Sequence, residues 1–210
     1  MIIALLLAVS ALPLIIAYIL FRRAGFLTTP VFLFSLLCGV LSVIIAAVVQ
    51  GALPAPDLYG KAQEFFYFFV RIALLEEGAR FVMLTLLFIF VGRFFRITLT
   101  PSYTAALGLV SGLAFASLET AFFSAANSYI TIIRLFTAAP LHGACAARAG
   151  QAAFFLKREP LRAAQRFLGA AALHGFYNFM VARGPLFTVL AAVLAVTSLF
   201  AVIRNIRHPV

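Results

Sequence analysis

Apolar residues run along this chain in blocks of about twenty, and most charged and turn residues fall in the gaps between them. A hydrocarbon core about 30 Å thick is crossed by roughly 20 helical residues, so blocks of this length are long enough to span a bilayer. Seven stretches qualify, at approximately 2–21, 31–52, 65–92, 101–126, 128–156, 163–183 and 185–203. The pattern predicts an all-α, polytopic transmembrane bundle of about seven helices. No repeat or low-complexity tract divides it, so residues 1–210 read as a single domain. In the fifth block Arg134, Pro140 and His142 interrupt the apolar run. Pro140 lacks a backbone donor, which predicts a kink there.

Composition agrees with a lipid-facing surface. The chain is 65% hydrophobic and only 10% charged, with a mean hydropathy of +1.13, where soluble proteins are about 45–50% apolar. The first block is too long for a signal-peptide core, has no basic leader and is followed by Arg22 and Arg23, so it is expected to stay as a helix. Cys38 and Cys145 lie in separate apolar blocks without metal-type spacing and read as small core residues.

The formal charge of +10 is scattered between the blocks, not gathered on one face, which argues against nucleic acid. It reports topology instead. Arg22, Arg23, Arg93, Arg96, Arg148, Lys157, Arg158, Arg162, Arg166, Arg204 and Arg207 fall on one side of the bundle, against Lys61 and Arg183 on the other. Basic residues favour the cytoplasmic side, which places the N-terminus outside and the C-terminus in the cytoplasm, as in a multi-pass protein of the bacterial inner membrane. The basic side would then touch anionic lipid. The stretch from Leu53 to Gln63, with Pro54, Pro56, Asp57 and Gly60, reads as a sizeable extracytoplasmic loop.

Half of the six acidic residues, Glu76, Glu77 and Glu119, lie inside apolar blocks. Each costs about 2.5–3.5 kcal/mol at a bilayer centre unless it is paired, protonated or faces water. Arg71, Arg80, Arg134, His142 and His174 share that interior, so the charges roughly balance in one polar cluster. Arg80 lies four residues after Glu76 and three after Glu77, within reach of either carboxylate. Phe115 shares a face with Glu119, and His174 shares one with Asn178. Arg71 and Arg134 sit near the boundary and read as snorkelling anchors outside the site, and Phe115 as packing. A salt bridge fixing helix register is the plain alternative for Glu76 and Arg80, and an interhelical hydrogen bond for Glu119 or His142. His174 with Asn178 offers a general base and an amide donor on one face, which water activation and oxyanion binding need.

These residues resemble a known family. Glu76-Glu77-Gly-Ala-Arg80, Phe115-Ala-Ser-Leu-Glu119, His142 and His174-Gly-Phe-Tyr-Asn178, each in its own helix and in this order, are similar to the PrsW intramembrane proteases. That family belongs to a superfamily with the type II CAAX prenyl endopeptidases and the Aph subunit of gamma-secretase. The resemblance covers the third to sixth blocks, with the catalytic helices at about 65–183. It departs at Arg80, where PrsW proteins usually carry lysine, while Glu119 stands where the prenyl endopeptidases have histidine. It implies that Glu76, Glu77 and His174 are catalytic, with Arg80, Glu119, His142 and Asn178 in support. It also implies cleavage of a membrane-anchored, single-span protein, such as an anti-sigma factor, near the extracytoplasmic side.

Two mechanisms stay open. In the favoured one, no metal takes part and one glutamate, Glu77 by preference, activates water while Arg80 holds the other. In the second, Glu77, His142 and His174 hold zinc, although no HExxH spacing demands it. Intramembrane glutamates and histidines also build proton relays, so a proton-coupled transporter or channel is the rival function, and a non-catalytic scaffold a third.

Overall fold

Five of the helices begin where the sequence places a proline in the first or second position, at Pro13, Pro30, Pro101, Pro160 and Pro185. The missing N–H costs nothing there and the fixed φ already suits a helix. The computed structural model describes residues 2–54, 60–124 and 129–207, apart from the side chains of Ile2 and Ile3. In chain order it comprises α1 (Ile2–Ser10), α2 (Leu12–Arg23), α3 (Thr29–Ala52), α4 (Lys61–Phe66), a π-helical segment (Tyr67–Leu74), α5 (Leu75–Phe94), α6 (Pro101–Phe123), α7 (Tyr129–Phe136), α8 (Ala138–Phe155), α9 (Pro160–Val181) and α10 (Pro185–Arg207). There is no strand among the described residues. Pro56 and Asp57 of the expected loop lie outside them.

Helices α3, α6 and α10 are long and apolar enough to cross a membrane, and the pairs α1–α2 and α7–α8, bent by 44° and 40°, bring the number to five if each pair is one span. The other two expected blocks, 65–92 and 163–183, are helical as well, but do not qualify as spans by length and composition. The kink expected at Pro140 falls three residues earlier, at Thr137, between α7 and α8. Pro140 has no N–H to give the carbonyl of Phe136, four residues back, and its ring crowds that carbonyl, so the ladder breaks there.

The bundle is apolar outside and polar inside. Val48, Phe122 and Leu186 are all about two-thirds exposed or more, while Glu77, Arg80, His142 and His174 are at most 2% exposed. Such a surface suits lipid, not water.

Helix α6 lies at the centre, buried along most of its length. It packs on α8 through small residues: a Cβ on Gly108 would overlap the Ala146 carbonyl, on Gly112 the His142 carbonyl, and on Gly150 of α8 the Thr104 carbonyl. Gly39 of α3 meets the Ser111 carbonyl of α6 in the same way. In lipid no hydrophobic effect drives helices together, so close backbone approach at small residues is what holds them. The contact at Gly112 also fixes the depth at which α8 presents His142.

Candidate active site

Helix α5 carries Glu76, Glu77 and Arg80 on its first turns, directly after the π-helical segment. Such wide turns often lie beside functional sites. Here the segment packs against α9 through Gly175, where an added Cβ would meet the Phe69 ring and backbone. His174, the preceding residue, is thereby brought close to α5.

A chain of ion pairs and hydrogen bonds follows. Arg80 Nη1 donates to Glu77 Oε1, and Arg80 Nη2 lies 3.4 Å from Glu76 Oε2 and 2.7 Å from His142 Nδ1. His142 Nε2 is 2.7 Å from Glu119 Oε2, which also accepts from Arg134 Nη2. His174 Nδ1 is 2.8 Å from Glu77 Oε1, and its Nε2 is 3.7 Å from Glu76 Oε2. The Arg80 guanidinium lies over the Phe115 ring, 3.7 Å from its centroid, so Phe115 also serves as a cation–π platform.

The network assigns the histidine tautomers. A guanidinium only donates, so His142 Nδ1 accepts from Arg80 and the neutral ring's proton sits on Nε2, directed at Glu119. Glu77 only accepts, so His174 Nδ1 donates to it and Nε2 keeps its lone pair, facing Glu76. Glu77 Oε2 and Arg80 Nε are buried without a hydrogen-bond partner among the described residues.

A cavity of about 630 Å³ reaches this cluster. Its walls are Val43, Ala46, Ala47 and Gln50 on α3, Tyr67, Phe68 and Ile72 on the π-helical segment, Phe115, Phe122 and Phe123 on α6, and Tyr177, Asn178, Val181 and Ala182 around the end of α9. Glu76, Glu119, Arg134 and His142 supply its charged and titratable lining. The wall residues on α3, α6 and α9 lie in the C-terminal halves of those helices, so the cavity belongs to that end of the bundle.

The expected residues are thus brought together, with three differences. Glu76 lines the cavity, whereas Glu77 is fully buried and enclosed by Arg80 and His174, the reverse of the expected preference for Glu77. Among the described residues, the group able to hold a metal is Glu76, His142 and His174, not Glu77 with the two histidines; its donor atoms all lie within 4.8 Å of one another. Arg134, expected to be only an anchor, pairs with Glu119 and lines the cavity. Arg71 donates to the carbonyls of Gln50, Leu53 and Pro54, closing the end of α3. Asn178 lines the cavity but stands apart from the ion-pair chain.

Gln50 was not anticipated. Its Nε2 lies 3.4 Å from Glu76 Oε1, and its only signal in the sequence is an amide at the end of an apolar block.

One carboxylate and two imidazoles are the donor set of many catalytic zinc sites, and a carboxylate behind a ligating histidine, as Glu77 stands behind His174, is their usual support. The donor types and their spacing therefore fit a divalent cation, with His142 exchanging its hydrogen bond from Arg80 for the ion, since its tautomer leaves no other lone pair free.

A family model described as PrsW family intramembrane metalloprotease matches residues 28–203. No curated protein and no solved structure matches the chain.

Proposed function

From the premise that the chain belongs to the PrsW family of intramembrane metalloproteases, and so is a multi-pass membrane protein that hydrolyses peptide bonds, we propose that it cuts a membrane-anchored, single-span protein, such as an anti-sigma factor, at the cavity floored by Glu76 and His142. What carries this reading is the division of labour in the cluster: Glu76 reaches the cavity, while Glu77, Arg80 and His174 form a dry support behind it.

We further propose seven crossings, with α1–α2, α4–α5 and α7–α8 each counting as one. Eleven basic residues against two then favour a position outside the cytoplasm for the C-terminal end of α3 and, with it, the cavity mouth. The cell would be bacterial and the membrane its inner one.

Each side chain has a task. Glu76 accepts a proton from water and returns it to the leaving amine. His174, held in one tautomer by Glu77, directs its Nε2 lone pair toward the same place. Arg80 pairs with Glu77 and stands between the two glutamates, while Glu119 and Arg134 fix His142. Asn178, on the cavity wall, donates to the carbonyl oxygen as it gains charge. Glu76, His142 and His174 would hold a divalent cation, which when bound supplies Lewis acidity toward water and the scissile carbonyl.

The test is incubation of the purified, reconstituted protein with single-span substrates, before and after exhaustive chelation. Wild type is expected to cleave, and His174→Ala to cleave on the order of 10²–10⁴ times more slowly. Chelation is expected to remove activity, and a divalent cation to restore it. Undiminished cleavage by His174→Ala would remove this site from the reaction. Full activity in metal-free protein would discard the cation and leave the glutamate acting alone.

A further inference from the structure

At the opposite end of the bundle, α8 and α9 run antiparallel and present a group of guanidinium groups to one another. The register is fixed at two points: Cys145 Sγ donates to the Ala170 carbonyl at 3.4 Å, and the Arg162 guanidinium lies over the Phe155 ring, 4.0 Å from its centroid. Arg148 is two helical turns before Phe155 on the same face of α8, and Arg166 is one turn after Arg162 on α9. The two therefore meet in the groove between the helices, and the charges of Arg148 and Arg162 both act on Arg166.

Arg148 and Arg166 are half-buried, and neither meets a carboxylate among the described residues. Among the described residues, the Arg148 guanidinium donates to the Ala144 carbonyl of its own helix, at 3.2 Å. Glu159 is the one acidic residue in this stretch and pairs with Arg162 at 3.2 Å. The α9 N-terminus adds positive potential, offset in part by its N-cap residue Glu159. Half-burying like charges without a counter-ion is unfavourable, and an anion lodged among them reverses the sign of the interaction.

We propose that the α8–α9 groove at Arg148, Arg162 and Arg166 is a binding site for a phosphate-bearing anion. Planar guanidinium groups suit phosphate oxygens, because each can donate two parallel hydrogen bonds. A phospholipid headgroup and a free phosphate compound share this chemistry. The site is independent of the proteolytic cluster.

The test uses the full-length protein, stripped of lipid in detergent and titrated with phosphatidylglycerol or phosphatidylcholine, with bound lipid counted by native mass spectrometry. Wild type is expected to retain phosphatidylglycerol in preference to phosphatidylcholine. The pair R148Q and R166Q should weaken retention on the order of 30-fold, from roughly fivefold for each basic residue at an anionic surface. The pair R204Q and R207Q removes the same charge at the same end and should leave retention near wild type. R148K with R166K, which keeps the charge but not the paired donors, should recover retention only in part and guards against misfolding. Equal loss in the two glutamine pairs, or no preference for phosphatidylglycerol in wild type, would overturn the site. Displacement of the lipid by inorganic phosphate alone would support the site and assign it to a free phosphate compound; resistance to displacement would support it and assign it to the headgroup.

Discussion

Replacing Glu76 by glutamine is expected to lower kcat/KM for a single-span substrate by about a thousandfold while leaving the folded bundle intact. The change keeps size and shape but removes the proton acceptor that faces the cavity, and a positioned acid or base contributes roughly 10²–10⁴ in rate. Glu76 makes only long contacts, 3.4 Å to Arg80 and 3.4 Å to Gln50, so little of the packing depends on its charge. The measurement is a cleavage rate beside a thermal denaturation midpoint in the same detergent. Wild-type rates from Glu76→Gln would sink the assignment of the proton acceptor.

Glu77→Ala is expected to act differently, lowering stability by about 3 kcal/mol, because it removes the closer of the two carboxylates paired with the fully buried guanidinium of Arg80 and frees the His174 ring. Removing both charges should cost less than removing one. The double variant Glu77→Ala with Arg80→Met is therefore expected to recover part of the stability lost by Glu77→Ala, although not the activity. Equilibrium unfolding of the two variants checks this, and a double variant less stable than the single one would show that the pair is not coupled in this way. The contrast between the two glutamates is a sharp one: adjacent residues, one expected to act mainly on rate and the other mainly on fold.

The cluster was visible in the sequence because charge inside an apolar run is costly enough to need a reason. Glu76, Glu77, Arg80, Glu119, His142 and His174 stand out on that ground alone, and the structure gathers all six. Which glutamate would face water was not visible. Spacing arithmetic assumes an α-helix, and the π-helical segment at Tyr67–Leu74 changes the angular phase just before the pair. Arg134 was misjudged for a related reason. A proline announces a kink but not the direction it takes, and the break at Thr137 angles α7 so that Arg134 reaches Glu119. Gln50 gave no warning, since an amide at the end of an apolar block has many partners open to it. The expected seven crossings stand against three to five by length and composition, because the side chains that build the site also lower the hydropathy of the helices that carry them. The proton-coupled transporter considered at first yields to the family match, which makes the chain a hydrolase.

The cavity's depth sets a condition on whatever is cut. From Tyr67 near its rim to Glu76 at its floor is nine residues of helix, at most about 14 Å. A coiled span presented side-on hides its peptide bonds within its own hydrogen-bond ladder. About four residues in extended form, at roughly 3.3 Å each, cover that distance. On the proposed reading, a helical substrate frays by about one turn before its backbone meets the carboxylate, and the ease of that uncoiling, set by glycine, proline or polar residues near the end of its span, becomes part of what selects it.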